Sequence, residues 1–95
     1  MDAPVISADV LARYAGDAAQ DVEGVAGLAH MPEVTAVAER AGVVVQLELD
    51  WGPPAEGVAA RVQERVAEYL ARMANLDVGT VDVVVERVGA PPATQ

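Results

Sequence analysis

The chain has 95 residues, no cysteine and a net charge of −9. One domain of this length buries enough surface to fold without disulfides, the lack of cysteine excludes thiolate zinc sites, and the negative charge disfavours binding to nucleic acid or anionic lipid. The N-terminal segment lacks the basic and apolar runs of a secretory signal. No segment approaches the roughly 20 apolar residues of a membrane helix, so we expect a cytoplasmic protein that reaches a membrane only through a partner.

The first predicted helix covers about residues 8–23. Ser7 is a residue type that caps helices, and Asp9 favours the positive end of the helix dipole. At 100° per residue the apolar side chains form one arc, made of Ala8, Leu11, Ala12, Tyr14, Ala15, Ala18, Ala19 and Val22. Gly24 favours the left-handed conformation that ends helices. A short strand at Val5-Ile6 is expected before the helix.

A change to period two predicts a hairpin between residues 34 and 51. The run 34–39 is its first strand, and Gly42 eases the turn. The second strand, 43–51, alternates apolar and polar residues, with Val43, Val45, Leu47, Leu49 and Trp51 on its dry face. Two prolines after Gly52 stop the sheet.

The second predicted helix covers about residues 56–74. Its apolar positions repeat at intervals of four and three, at Val58, Val62, Val66, Tyr69, Leu70 and Met73. A valine-rich last strand follows at about 80–88. Residues 89–95 have no period and are predicted to form a flexible tail, so the ordered core covers about 5–88 of a single domain, 1–95.

This order of elements, β-α-β-β-α-β, predicts an α+β two-layer sandwich with two helices on one face of a small, mainly antiparallel sheet. An alanine-rich side of the second helix is expected to pack against the alanines of the first. Its residues are Ala59, Ala60, Ala67, Ala71 and Ala74. The alternative is that alanine occurs there only because it favours helices.

Paired acids, a lone histidine and a lone serine are the candidates for chemistry. Asp17 and Asp21 lie four apart on one helix face, as acids do in some catalytic pairs. The same face is predicted to meet water, which favours solvated acids over a small hydrolase. His30 and Ser7 lack the partners of a metal site or a catalytic triad. We therefore expect no enzyme, no cofactor and no metal.

Residues Gly24 to Gly27 match the GxxG pattern with which KH modules hold a nucleic-acid backbone. Nearby acids, Asp17, Asp21, Glu23 and Glu33, would repel phosphate. A KH-like nucleic-acid-binding module is thus the alternative interpretation, and the end of a helix with a turn is the preferred one.

Arg61, Arg65 and Arg72 form a ridge along the second helix, which we call the arginine ridge. Pairing with acids of the same helix, such as Glu68 with Arg72, would explain it. Alternatively, the ridge meets the acids of the first helix, Asp17, Asp21 and Glu23, on another copy or a partner. Trp51 either closes the sheet edge or contacts a partner.

Five sequence features together resemble the alkaline shock protein family of envelope stress response proteins. They are Val5-Ile6-Ser7, the run from Ala18 through Val22-Glu23-Gly24-Val25 to Leu28, the valine strand ending at Trp51-Gly52, Val58-Ala59 with Val62-Gln63, and Met73 to Leu76 before Val78. The resemblance covers about residues 5–88. It implies a non-enzymatic cytoplasmic domain that supports cell-envelope homeostasis under stress. Such a domain would form homo-oligomers and dock to a small membrane-anchor protein. The lysine-rich surface and terminal extensions of some members are missing.

Overall fold

Two helices and four strands build the part of the chain that the computed structural model describes, residues 8–37, 40–75 and 77–90. In chain order they are α1 (Ala8–Gln20), β1 (Val25–Leu28), β2 (Glu33–Val37), β3 (Arg40–Leu49), α2 (Ala55–Ala74) and β4 (Asp77–Val88). The predicted α+β sandwich is confirmed. The predicted strand at Val5-Ile6, the cap at Ser7 and positions 91–95 of the tail lie outside the described residues.

Strand β3 is the centre of the sheet. β2 pairs antiparallel with its first half and β1 with its second half, so these two strands follow one another along one side of β3. β4 pairs with the other side of β3 in parallel, from Arg40↔Asp77 to Leu49↔Val88. The sheet is therefore mixed, because α2 returns the chain to the start of β3 before β4 begins.

The core lies between the helices and one face of the sheet. Every second residue of β3 is buried, and these are Ala41, Val43, Val45, Leu47 and Leu49. They pack against the buried stripe of α2, Val58, Val62, Val66 and Leu70, and against Leu11, Ala15, Ala18 and Ala19 of α1. The alternate β3 residues are partly exposed on the opposite face. Both helices thus cover the same face, as predicted.

The helices run antiparallel to each other. Tyr14 contacts Tyr69 edge to face, with ring centroids 5.9 Å apart, while Asp21 at the end of α1 pairs with Arg65. Positions closer to the C-terminus of α1 therefore contact positions closer to the N-terminus of α2. α1 also contacts β1 and β2, and α2 lies over β4.

The first helix is shorter than predicted, and it is followed by a strand that the sequence analysis missed. α1 ends at Gln20 rather than residue 23. No basic residue lies in its last turn, and Asp21 would be unfavourable at the negative end of the helix dipole. Gly24 has a positive φ of 101°, as expected of a chain reversal. Positions 25–28 then pair with β3, so they are not the predicted turn.

Three further predictions need correction. Gly42 does not form the hairpin turn: it lies within β3 and pairs with Thr35 of β2. Met73 is exposed near the end of α2 rather than part of its core stripe. β4 begins at Asp77, three residues earlier than predicted, because its parallel partner β3 also begins early, at Arg40.

Candidate protein-interaction surfaces

The predicted charged residues meet in a groove between the end of α1 and the first half of α2. The Arg65 guanidinium donates a hydrogen bond to the carboxylate of Asp21 in the same chain. The groove has a volume of about 540 Å³, and its lining is Asp21, Val22, Glu23, Pro53, Arg61, Glu64, Arg65 and Glu68. Part of the predicted charge complementarity is thus used within one chain, because the antiparallel helices bring these two faces together.

The other charged candidates lie beside this groove. Asp17 lines an adjoining depression with Arg65 and Tyr69. Arg72 lies one turn further along α2 and donates a 3.0 Å hydrogen bond to Glu68, the within-helix pairing that the sequence suggested. Four acids and two arginines line the main groove. Its charge therefore does not favour an anionic ligand.

The Arg65–Asp21 pair is exposed, with 50% and 61% of the two side chains accessible. Exposed pairs contribute about 0–1 kcal/mol. We expect Arg65→Glu to lower the free energy of unfolding by no more than about 1 kcal/mol. Urea denaturation measures this change, because urea is uncharged and does not raise the ionic strength that would screen the pair. Arg13→Glu, an exposed change of equal charge on α1, is the control. A loss several times larger than that of the control would show that the pair holds the helices together.

Trp51 lies two residues after the end of β3, and 56% of the residue is exposed. Its backbone nitrogen is close to Gly89, whose own N–H donates to the Leu49 carbonyl. Val88, also exposed, pairs with Leu49 in the same region. Trp51 does not close the sheet by burial, and its role in partner contact stays a prediction.

The KH-like interpretation of Gly24 to Gly27 is wrong in its geometry. A KH module needs the GxxG segment as a loop that grips the backbone. Here Val25 pairs with Leu49 and Gly27 with Glu48, so the segment is a strand of the sheet. The Gly24 carbonyl also accepts a 2.8 Å hydrogen bond from the Asp50 amide. This segment holds the sheet together and has no free loop to offer a phosphate.

The acids of the groove do not form a metal-binding cluster. Within residues 8–37, 40–75 and 77–90, no group of three or more His, Asp or Glu side chains could hold a metal ion. The buried side chains in this part of the chain are all apolar. His30 is exposed in the bend between β1 and β2.

The alanine side of α2 has a different neighbour from the one predicted. Arg65 and Tyr69 face α1, whereas Gln63 reaches the opposite way, to the carbonyl of Val81 in β4. Residues three or four apart share a helix face, so Ala60 and Ala67 lie beside Gln63, above β4. Of the alanines on this side, Ala60 and Ala71 are exposed and Ala59, Ala67 and Ala74 half-buried. They do not pack on α1, so this prediction was wrong.

Within residues 8–37, 40–75 and 77–90, strand β4 pairs with β3 alone, so its outer edge has no strand partner in this part of the chain. Its inward-facing valines, 81, 83 and 85, are half-buried, whereas their β3 partners Val43 and Val45 are at most 1% exposed. The strand contains no proline or lysine, the residues that often protect an edge. We call the outer edge of β4 and the alanine side of α2 (Ala59, Ala60, Ala67, Ala71 and Ala74) the α2/β4 flank.

This flank was not predicted from the sequence, although both of its parts can be recognised there. The valines of the last strand and the alanines of the second helix are visible in the sequence. The sequence does not show that β4 pairs with one side of β3, nor which side of α2 faces β4. Both are set by tertiary packing.

Comparison with solved structures finds the same fold in MamM CTD domains. A histidine-to-alanine variant of MamM-CTD superposes with a TM-score of 0.62 at 20% identity, covering 85% of this chain and 98% of that one. The cadmium form of an aspartate-to-glutamate variant gives 0.62 at 18% identity, with the same coverage. The copper form of an aspartate-to-histidine variant gives 0.58 at 19%, covering 81% and 92%. At this identity the likeness concerns the fold.

No family model matches the sequence, and no curated protein matches it either. Within the described residues, neither helix has the length and apolar character required to span a bilayer.

Proposed function

We propose that this chain is a self-associating protein-interaction module without catalytic activity, and that the α2/β4 flank is where a second copy binds. The observation that carries the proposal is the open β4 edge beside an uncovered alanine face. An unpaired edge is a template for strand pairing with another chain. Small side chains on the neighbouring helix would let a second backbone approach closely.

The charge distribution favours a second copy at this flank. Residues 1–50 contain nine acids and two arginines, a net −7, whereas residues 51–95 contain six acids and four arginines, a net −2. α2 and β4 belong to the second group. Two copies that meet through these elements keep their strongly acidic halves apart, which reduces repulsion.

The MamM CTD structures support the proposal of a single module, because this fold accounts for up to 98% of those chains in the alignment. Two of these structures are a cadmium form and a copper form. We assign no metal to the present chain. In our proposal its polar residues serve surface pairing and contact with other proteins.

The resemblance to alkaline shock proteins supports a narrower form of the proposal. In that form the self-associated module is cytoplasmic, docks to a small membrane-anchor protein and contributes to cell-envelope homeostasis under stress.

Trp51, exposed at the far end of β3, is the side chain we assign to the contact with this membrane-anchor protein. Recovery of the wild-type chain with membranes, and its loss for Trp51→Ala at unchanged expression, would be the expected result. Equal recovery of both would contradict the assignment.

A charged substitution on the flank tests self-association. We expect Ala60→Glu to raise the dissociation constant of the dimer at least about tenfold, because Ala60 lies one turn before Gln63 on the flank and a two-fold interface there places two new carboxylates near each other. Sedimentation velocity over a concentration series measures the constant. Ala60 is exposed, so the monomer should keep its fold.

The matched control is Ala26→Glu, which adds the same charge at an exposed position of β1, on the far side of β3 from β4. It should dimerise like the unchanged chain. Equal dissociation constants for both variants would remove the flank from the interface. A chain that stays monomeric at every concentration would refute self-association itself.

A further inference from the structure

We infer that two copies join their β4 strands antiparallel about a two-fold axis at Val83, so that two sheets become one. This inference rests on the proposed function and specifies its geometry. The partner is a second copy of this chain. A two-fold rotation brings the same β4 edge and the same alanine face of both copies together.

The Gln63 hydrogen bond identifies which backbone groups face outward. Its side-chain amide donates to the Val81 carbonyl at 2.9 Å. The space between β3 and β4 is occupied by their own ladder, so this carbonyl lies on the outer edge. In a strand of a parallel pair, the N–H and C=O groups of one residue both face the partner strand, and those of the next residue both face the opposite edge. Val81, Val83 and Val85 therefore offer their N–H and C=O groups outward, and Gln63 substitutes for a missing strand at one of them.

Charge excludes the two registers next to the one we infer. A two-fold axis at position 82 would place Asp82 opposite its own copy, and an axis at position 84 would place Asp82 opposite Glu86. Like charges directly opposite each other destabilise a strand pair. An axis at Val83 instead places Asp82 opposite Val84, and so avoids both repulsive pairs.

The same register joins valine to valine on the helix side of the sheet. Val83 lies opposite its copy and Val81 opposite Val85, so the three half-buried valines of each strand become covered. The amide of Val85 in one copy can donate to the carbonyl of Val81 in the other, replacing Gln63. Above them the alanine sides of the two α2 helices face each other. Burial of these groups is what stabilises the dimer.

Single cysteines test the register in a chain that has none of its own. We expect Val83→Cys to form a disulfide-linked dimer on mild oxidation. Residues that face each other in a hydrogen-bonded antiparallel pair have Cα atoms about 5.5 Å apart, within the range of disulfides. Val81→Cys should not crosslink, because the two copies of residue 81 would be four residues, or about 13 Å, apart along the strands. The double variant Val81→Cys, Val85→Cys should crosslink again.

Non-reducing electrophoresis and sedimentation together separate the outcomes. A dimer in which Val81→Cys crosslinks and Val83→Cys does not would overturn the register while leaving self-association intact. A dimer that none of the three variants crosslinks would overturn the strand pairing. A chain that is monomeric throughout would overturn both the inference and the proposed function, and would leave the edge to a strand of another protein.

Val83→Pro tests the backbone contribution. Proline removes an N–H group that faces outward, so pairing with β3 should survive. We expect the variant to be folded by circular dichroism and monomeric by sedimentation. A folded Val83→Pro variant that dimerises as well as the unchanged chain would contradict strand pairing.

Discussion

Replacing Leu47 with alanine should lower the free energy of unfolding by about 2–5 kcal/mol, the range for removing a buried leucine side chain. Leu47 lies in the central strand with no exposed surface. Its neighbours are Leu28 of β1 on one side and Val85 of β4 on the other. Because helices cover this face, the cavity left by the substitution could not be filled by water-exposed side chains. Urea denaturation followed by circular dichroism measures the change.

Val44→Ala is the control, since Val44 is in the same strand with its side chain on the opposite, partly exposed face. We expect a loss below about 1 kcal/mol there. Similar losses for Leu47→Ala and Val44→Ala would mean that the sheet has two equally buried faces. That result would contradict a single layer of helices.

Gly24→Ala should destabilise the protein by about 2–4 kcal/mol, the combined cost of backbone strain and overpacking. Gly24 has φ of 101°, a region that side chains other than hydrogen disfavour. A Cβ atom at this position would also lie 2.8 Å from Cγ2 of Val58, which is completely buried in α2. The valine could not move away without disturbing the core.

Gly52→Ala separates the two causes. Gly52 has φ of 120°, but a Cβ atom there would meet nothing within 4 Å. The Gly52→Ala variant should therefore be destabilised by backbone strain alone, by about 1–3 kcal/mol. It should denature at a higher urea concentration than Gly24→Ala. The opposite order of stabilities would show that contact with Val58 does not limit position 24.

The elements with strong periodicity could be predicted from the sequence. α2 was predicted within one residue, because its four-and-three spacing contains no competing period. β3 showed the alternation of a half-buried strand, although its first three residues were assigned to a turn. β1 has four residues including Gly27 and no pattern of its own. It is a strand because β3 supplies its hydrogen-bond partners, which is a tertiary effect.

The candidate surfaces were predictable in composition but not in arrangement. Sequence spacing placed the arginine ridge on one side of α2 and the alanines on the other. It could not tell which side meets α1, and the structure turns Arg65 and Tyr69 toward α1. The alanines consequently lie above β4. Pairing of Asp21 with Arg65 in one chain, rather than between chains, follows from the same rotation.

The parallel pairing of β3 with β4 joins segments separated in sequence by the whole of α2. Such distant contacts form slowly, whereas the β2–β3 hairpin can close locally. β4 also follows every other described element in chain order, so the ribosome completes it after them. The edge that we assign to a second copy is therefore formed only once β4 has paired with β3, and a copy that has not yet made this pairing has no such edge to offer.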